Sequence, residues 1–516
     1  MEMGTVLRAM EEYTFTLLAM AVGFLVVVYL YEPYWKVRHV PGPVPVPLIG
    51  HLHLLARHGL DIFPALAKKH GPVFRFHVGR QPLIIVADAE LCREVGIKKF
   101  KSMPNHSLPS PIANSPIHVK SLFSSRDSRW SAMRNIIVSI YQPSHLAGLI
   151  PAMESCIQRA ATNLNDGEEV SFSDLAVSLS TDVIGQAAFG TDFGLSSPKK
   201  TPGDDNNNDM KEAKASSEFI NMHIHSTTSL KMDLSGSLST IVGMFVPLLL
   251  KPLRQALLKV PWSADREITR VNGELRRMMD GIVAARMAAR DPAASSPHKD
   301  FLSVLLAARE KDASTRELLS PDYLSSLTYE HLLAGSATTA FTLSSVLYLV
   351  SKHPEVESKL LGEIDAFGPR DRVLKETMRL FMASPLVARE ASERVEVGGY
   401  VLPKATWVWM APGVLAKDPN HFPEPELFRP ERFDPAGDEQ KKRHPYAFIP
   451  FGLGPRVCIG QKFSNQEVKL AVIHLYQRYV FRHSPSMESP LEFQFGIVVN
   501  FKHGVKLQVI KRHKND

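Results

Sequence analysis

The ten residues Phe451-Gly452-Leu453-Gly454-Pro455-Arg456-Val457-Cys458-Ile459-Gly460 carry the densest chemistry in this chain. Two glycines permit a tight loop with unusual backbone angles, and the loop delivers Cys458 to the start of a helical pattern that begins at Gln461. A thiol in that position meets unpaired N–H groups and the positive end of the helix dipole, both of which favour the thiolate. A thiolate ligand pushes electron density onto iron and favours splitting of an O–O bond. Taken alone, a cysteine is more often a small buried hydrophobe. A dinucleotide loop is the other reading of Gly452-x-Gly454, but Val457 stands at the third glycine position and no βαβ pattern surrounds it.

Other side chains suit a charge network or a charged cofactor. Glu376 and Arg379 lie one helical turn apart in Glu376-Thr377-Met378-Arg379, and Pro430-Glu431-Arg432-Phe433 supplies Arg432 downstream. In isolation such a pair is usually a surface ion pair. Trp130 and Arg134 are also one turn apart, and Arg389 and Arg456 add two guanidiniums whose planar forks match a carboxylate at any relevant pH. For Arg389 an ordinary solvated arginine is an equal reading. The run Ala334-Gly335-Ser336-Ala337-Thr338-Thr339 is made of small residues, with Gly335 costing about 1 kcal/mol relative to alanine in a helix interior and marking a local opening. His51-Leu52-His53 offers metal-like residues without a third ligand and reads as a strand, and His331 reads as a core histidine.

The elements that must position these groups are mostly helical. With 516 residues, 44% hydrophobic and 22% charged, the chain can bury a large core, and no internal repeat divides it. Three scattered cysteines, Cys92, Cys156 and Cys458, are too few for a disulfide framework or a zinc cluster. A net charge of +7 favours anionic surfaces, and no basic-aromatic groove points to nucleic acid. The apolar run from Tyr13 to Tyr31 is nearly long enough to span a bilayer, and Tyr34, Trp35, Lys36 and Arg38 form a cytoplasmic-side flank. The spacing predicts an anchor over 1–31, a basic and proline-rich hinge over 32–50, and one catalytic domain over 51–516. Val73 to Ala87 reads as a hairpin, and Pro321 to His353 as a long buried helix stopped by Pro354. Short strands are expected at Val395 to Val401 and Thr406 to Met410, followed by an amphipathic helix from Gln461. Ser197 to Ser217 and Arg290 to Lys299 read as mobile loops. The basic run Lys441-Lys442-Arg443-His444 is either a solvated face or a docking surface for an acidic electron donor.

Taken in chain order, these motifs resemble the cytochrome P450 superfamily over essentially the whole chain. The resemblance implies a mostly α fold with small β-sheets, a heme b cofactor and Cys458 as the axial ligand of its iron. It implies that Trp130, Arg134, Arg389 and Arg456 hold heme propionates, that Phe451, Gly452 and Gly460 line the heme loop, and that Glu376, Arg379 and Arg432 form a buried network beneath it. Thr338 is then the hydroxyl that helps deliver protons where oxygen is activated; the family often has an acid just before it, and here Ala337 leaves water, Thr338 or the substrate as carrier. Implied partners are an NADPH-cytochrome P450 reductase, membrane lipid and an apolar small molecule. The implied location is the endoplasmic reticulum membrane, single-pass, with the catalytic domain facing the cytosol.

Within the superfamily, the segments 31–43, 110–118 and 483–493 are similar to those of plant carlactone oxidases of strigolactone biosynthesis. That likeness implies oxidation of a methyl of carlactone to carlactonoic acid, and in some relatives onward conversion to 4-deoxyorobanchol or orobanchol. The expected cavity walls are Pro104 to Phe123, the long helix before Thr338, Leu386, Val387 and Gly496 to Val499. Two other readings stand beside this one: a heme-thiolate isomerase that rearranges peroxides, and an impaired heme-binding relic. The second rests on Thr338 and Glu376 being only 38 positions apart. Against the family pattern about five turns, roughly 18 residues, are missing there, and the expectation is a strained charge network.

Overall fold

The computed structural model describes residues 2–516 except 114, 197–206, 230, 232–233, 290–299, 367–370, 497 and 514–516, with side chains left out also at 2–12, 110–111 and 207–217. The helices that matter here, numbered in chain order, are α1 (Glu2–Lys36), α2 (Asp127–Ile137), α3 (Phe172–Phe189), α4 (Asn207–Thr228), α5 (Ala264–Ala288), α6 (Pro321–Lys352), α7 (Asp371–Leu380) and α8 (Gln461–Tyr476). Four strands form the main sheet: β1 (Val73–Val78), β2 (Gln81–Val86), β3 (Val387–Glu390) and β4 (Trp407–Met410). The hairpin β1–β2 turns at Gly79, and β4 runs parallel to β2 and antiparallel to β3, giving the order β1-β2-β4-β3.

Helix α6 starts after Ser320 with proline at its first position, where a missing N–H costs nothing, and stops before Pro354. Its composition would let it cross a bilayer, but 67% of that stretch is buried inside the protein. Leu327, Leu347 and Val350 pack it into the main core with α3, α5 and α8. A second core, around Ile84, Val86, Val408, Met410 and Phe433, joins the sheet to the segment that carries Cys458. The sheet thus fixes one side of the chain's central cavity and α6 the other.

Several expectations change. The helix expected as an anchor over 1–31 does not end at Tyr31 but continues to Lys36, through Pro33. Tyr34 donates to the carbonyl of Val46 at 3.1 Å, and Val37 and Val40 are fully buried against the sheet, so part of the expected hinge is core. Residues 207–217 belong to α4 instead of a loop: Met, Lys, Glu and Ala are good helix formers, and they run into the amphipathic stretch that buries Phe219 and Met222. The rest of that expected loop, and the one at 290–299, lie outside the described residues. The expected strand at His51 to His53 is the start of a short helix, Leu52–His58, and His51 accepts the backbone N–H of His77 at 2.9 Å.

Residues 13–28 of α1 are exposed along their length, as in a segment made to be covered by something other than this protein. Deleting residues 1–31 should therefore release much of the protein from membranes and leave the melting temperature nearly unchanged. Deleting 1–41 removes Tyr34, Val37 and Val40 from the core, each worth about 1.5–3 kcal/mol, and should lower the melting temperature by several degrees; sedimentation with membranes and thermal denaturation of both variants check this.

Candidate active site

Gly452 and Gly454 both adopt left-handed angles, with φ of +74° and +72°. A Cβ on Gly454 would lie 2.0 Å from the carbonyl oxygen of Gly96, so only glycine lets the loop close against that turn. Pinned there, the chain places Cys458 three residues ahead of α8, and its N–H donates to the carbonyl of Phe451 at 2.9 Å. Cys458 has solvent-accessible surface although protein encloses it, because it faces an internal cavity of about 440 Å³. Cys92 and Cys156 are fully buried, and burial pushes their thiols up to about 12. Burial also raises the Cys458 thiol, opposed by the N–H groups of Gly460 and Gln461 and by the Arg134 cation. Those donors are the ones a thiolate needs.

Phe451, Gly452, Gly460, Trp130, Arg134 and Arg456 all line this cavity. Arg456 stacks over the Trp130 ring at 4.0 Å and donates to the carbonyls of Pro104 and Ser125, both at 2.9 Å. Its Nη1 is buried with no partner. Arg134 donates to the carbonyl of Val457 at 2.7 Å. Arg389 is not an ordinary solvated arginine: it is fully buried on β3, donates to the carbonyl of Ala388 at 2.8 Å, and leaves Nε without a partner. Among the described residues none of the three forms an ion pair. Burial, with mutual repulsion, lowers Arg456 to about 9, and burial alone lowers Arg389 to about 10. Three cations converging here, with unused donors on Arg389 and Arg456, fit an anion that enters the cavity, and the two propionates of heme have the charge and forked geometry required.

Across the cavity from Cys458, α6 presents Ala334, Gly335 and Thr338. The Thr338 hydroxyl donates to the carbonyl of Ala334 at 2.7 Å, one turn back in the helix. No opening exists at Gly335, where α6 is continuous. The glycine is there because a Cβ would meet Ile184 of α3 at 2.8 Å, so it sets how closely those two helices pack. His331 is buried and stacked on Phe301 at 3.7 Å as expected of a core residue, and it also borders the cavity. The expected cavity segments are present: His106 and Phe123, Leu386 and Val387, and Gly496, Val498 and Val499 all contribute.

The charge network is complete. Glu376 on α7 accepts from Arg379 Nε and Nη2, both at 2.8 Å, from Arg432 Nε at 3.0 Å and from the backbone N–H of Arg429 at 2.9 Å. All three side chains are fully buried, and the remaining guanidinium donors reach the carbonyls of Ala416, Pro423, Pro425 and Leu427. The strain expected from the short connection is therefore absent. Helix Pro354–Ala366 and α7 take up nearly all of that connection, and α7 reaches Glu376 after only five residues, yet every donor finds an acceptor at ordinary distance. The linking residues 367–370 lie outside the described residues.

The site also contains residues that spacing did not reveal. Arg443 is not part of a solvated basic run: its side chain is 3% exposed, lies between the rings of Phe422 and Phe433 and donates to Glu439 and to the carbonyl of Arg432. Glu330 on α6 borders the cavity, and burial raises its carboxyl to about 7 against the pull of two backbone N–H groups. A carboxylate in an otherwise apolar helix was a visible signal, but nothing nearby in sequence marked its partners.

A sequence model of the cytochrome P450 family matches residues 40–509. This chain belongs to the cytochrome P450 family, whose members carry heme b on a cysteine thiolate, and it is accordingly an oxidoreductase of the monooxygenase type. It is 28% identical to cytochrome P450 3A9 of Rattus norvegicus, over 95% of each chain, and 27% identical to cytochrome P450 3A12 of Canis lupus familiaris, over 97% of each. It is also 25% identical to thromboxane-A synthase of Sus scrofa, over 92% of each.

Removing one member of the buried network leaves the others uncompensated, at a cost of about 3–5 kcal/mol. Glu376→Gln should therefore sharply reduce the fraction of protein that folds with heme, seen as the ratio of Soret to protein absorbance. Lengthening the link between Ala366 and Asp371 by about five helical turns should leave that ratio unchanged.

Proposed function

We propose that Cys458 is the axial thiolate ligand, that Arg134, Arg389, Arg456 and Trp130 bind the propionates, and that the cavity above holds an apolar apocarotenoid, carlactone or a close relative. The observation that carries the reading is one cavity bounded by Cys458 on one side, by the Thr338 hydroxyl on the other, and by the guanidiniums of Arg134 and Arg456 at its edge, with Arg389 buried on β3 next to the lining residue Ala388. Heme, when bound, supplies oxygen activation at its iron. The residues of the chain do the rest. Phe451 and the glycine loop hold Cys458 still, and the Gly460 and Gln461 N–H groups stabilise its negative charge. Thr338 can turn its hydroxyl from Ala334 toward the cavity and back, which suits it to hold and pass a proton where Ala337 offers no acid.

The remaining wall is mainly apolar, formed by side chains such as Ile112, Leu122, Leu386 and Val499. Such a surface favours a hydrocarbon-rich substrate and leaves few polar contacts to orient it. A neighbouring cavity of about 550 Å³ shares Leu60, Pro109, Leu386 and Trp409 with the first and reaches Pro33 and Lys36 at the end of α1. This supports uptake of substrate from the bilayer. Exposed Leu238, Leu248 and Trp262 offer further apolar surface, consistent with a domain resting on a membrane.

On this reading residues 1–31 anchor a catalytic domain in the endoplasmic reticulum, facing the cytosol, with electrons from an NADPH-cytochrome P450 reductase. Methyl oxidation of carlactone gives carlactonoic acid, and a further oxidation gives 4-deoxyorobanchol or orobanchol. The plant-type segments 31–43, 110–118 and 483–493 support that substrate class. Membranes containing the protein, supplied with carlactone, reductase and NADPH, should form the acid by mass spectrometry. Conversion of a fatty hydroperoxide without NADPH, and none of carlactone with it, would favour the isomerase reading instead. Cys458→Ser should abolish both turnover and the thiolate-type spectrum of the reduced carbon monoxide complex, because a neutral hydroxyl donates far less charge.

A further inference from the structure

One carboxylate near the cavity serves none of the roles assigned so far. Glu330 stands on α6 two turns before Thr338, about 12 Å along the helix axis, among apolar neighbours. Both of its oxygens are used: Oε2 accepts the backbone N–H of Leu122 at 2.6 Å, and Oε1 accepts that of Phe123 at 2.7 Å. Ser121 adds a side-chain hydrogen bond. Consecutive backbone N–H groups aimed at one carboxylate make a charge-assisted clamp, stronger than neutral hydrogen bonds between the same elements.

What the clamp holds is a turn with no strand or long helix of its own. Within it, the Ser124 hydroxyl donates to the carbonyl of His118 at 2.9 Å, and Ser125 donates to the carbonyl of Ser121 at 2.6 Å. Both ends of the turn lead to the site. Phe123 stacks its ring on His106 at 4.3 Å between centroids, and both rings border the cavity. The carbonyl of Ser125 accepts Arg456 Nη2 at 2.9 Å and so orients the guanidinium whose Nη1 is left over. A single side chain of α6 therefore reaches both the apolar wall and the cationic edge through one short peptide segment.

We propose that Glu330 is a positioning residue for the reaction: by gripping the N–H groups of Leu122 and Phe123 it sets the shape of the apolar wall over the substrate and aligns Arg456 with the anionic edge of the cofactor. The proposal rests on the reading of this cavity as the heme and substrate chamber. Glu330 itself touches neither reacting atom. Its grip decides which apolar ligands fit and how firmly the cofactor is retained.

The test uses the full-length protein in membranes or detergent, with Glu330→Gln as the main variant. Glutamine keeps the volume and one acceptor oxygen but turns an NH₂ toward a backbone N–H. Hydrogen exchange read by mass spectrometry should show peptides over 118–125 losing roughly tenfold of their protection, as expected for a lost charge-assisted bond, while peptides within α6 keep theirs. The spectral dissociation constant for clotrimazole should rise by a similar factor, and the thiolate-type carbon monoxide spectrum should stay in place. Unchanged exchange over 118–125, or unchanged clotrimazole affinity, overturns the proposal whatever the natural substrate proves to be. If the glutamine variant does not retain heme, Glu330→Asp decides, since it keeps the charge but withdraws the oxygens by one methylene. Loosening of 118–125 is expected there, and wild-type exchange overturns the idea.

Discussion

Burying a cation without an anion is expensive, and this protein does it twice beside one cavity. Arg389 and Arg456 leave water, repel one another and find only backbone carbonyls, the Asn105 amide, a histidine and an aromatic face within the chain, while the half-buried Arg134 adds a third charge close to Arg456. The arrangement makes sense when an anionic cofactor supplies the missing charge, and the surrounding structure follows from that demand. The sheet holds Arg389 on β3, the glycine loop holds Arg456 two residues from Cys458, and α2 stacks Trp130 beneath the fork. Positive charge at this edge also lies close enough to the sulfur to oppose the effect of its burial.

The second buried charge cluster obeys the opposite rule. Glu376 is surrounded by donors from Arg379, Arg432 and Arg429, and the outer guanidinium faces are taken up by carbonyls and by Glu439. It needs nothing from outside the chain and ties α7 to the segment from Ala416 to Arg432. This explains why the short connection ahead of α7 is tolerated. Loop length changes the closure entropy only slowly, and the network requires the position of Glu376, which a helix of five residues before it already provides.

Much of this could be read from the residues in order. The loop glycines, Cys458, the Glu376–Arg379 pair and α6 are local patterns whose physics is contained within one or two turns, so they were legible without a structure. The bounds of α6 follow from Ser320, Pro321 and Pro354 alone. What could not be read is long-range. Gly335 looked like a weak point in a helix because nothing nearby in sequence shows Ile184 against it. Arg443 looked like a surface cation because Phe422 and Phe433, which enclose it, are ordinary core residues in sequence. Arg389 and Glu330 differ from solvated charges only through partners many residues away. Residues 32–40 read as a hinge from their prolines and charges, whereas Val37 and Val40 are held by contacts with the sheet.

The central claim is that the buried guanidiniums beside Cys458 are matched to the two carboxylates of heme. It is tested most directly by synthesising the chain in a cell-free system supplied with equal amounts of heme and heme dimethyl ester, in which both propionates are neutral, and measuring which is incorporated. The account predicts strong preference for heme, because the ester leaves the buried cations of Arg389 and Arg456 unpaired. Equal incorporation of the two would contradict it.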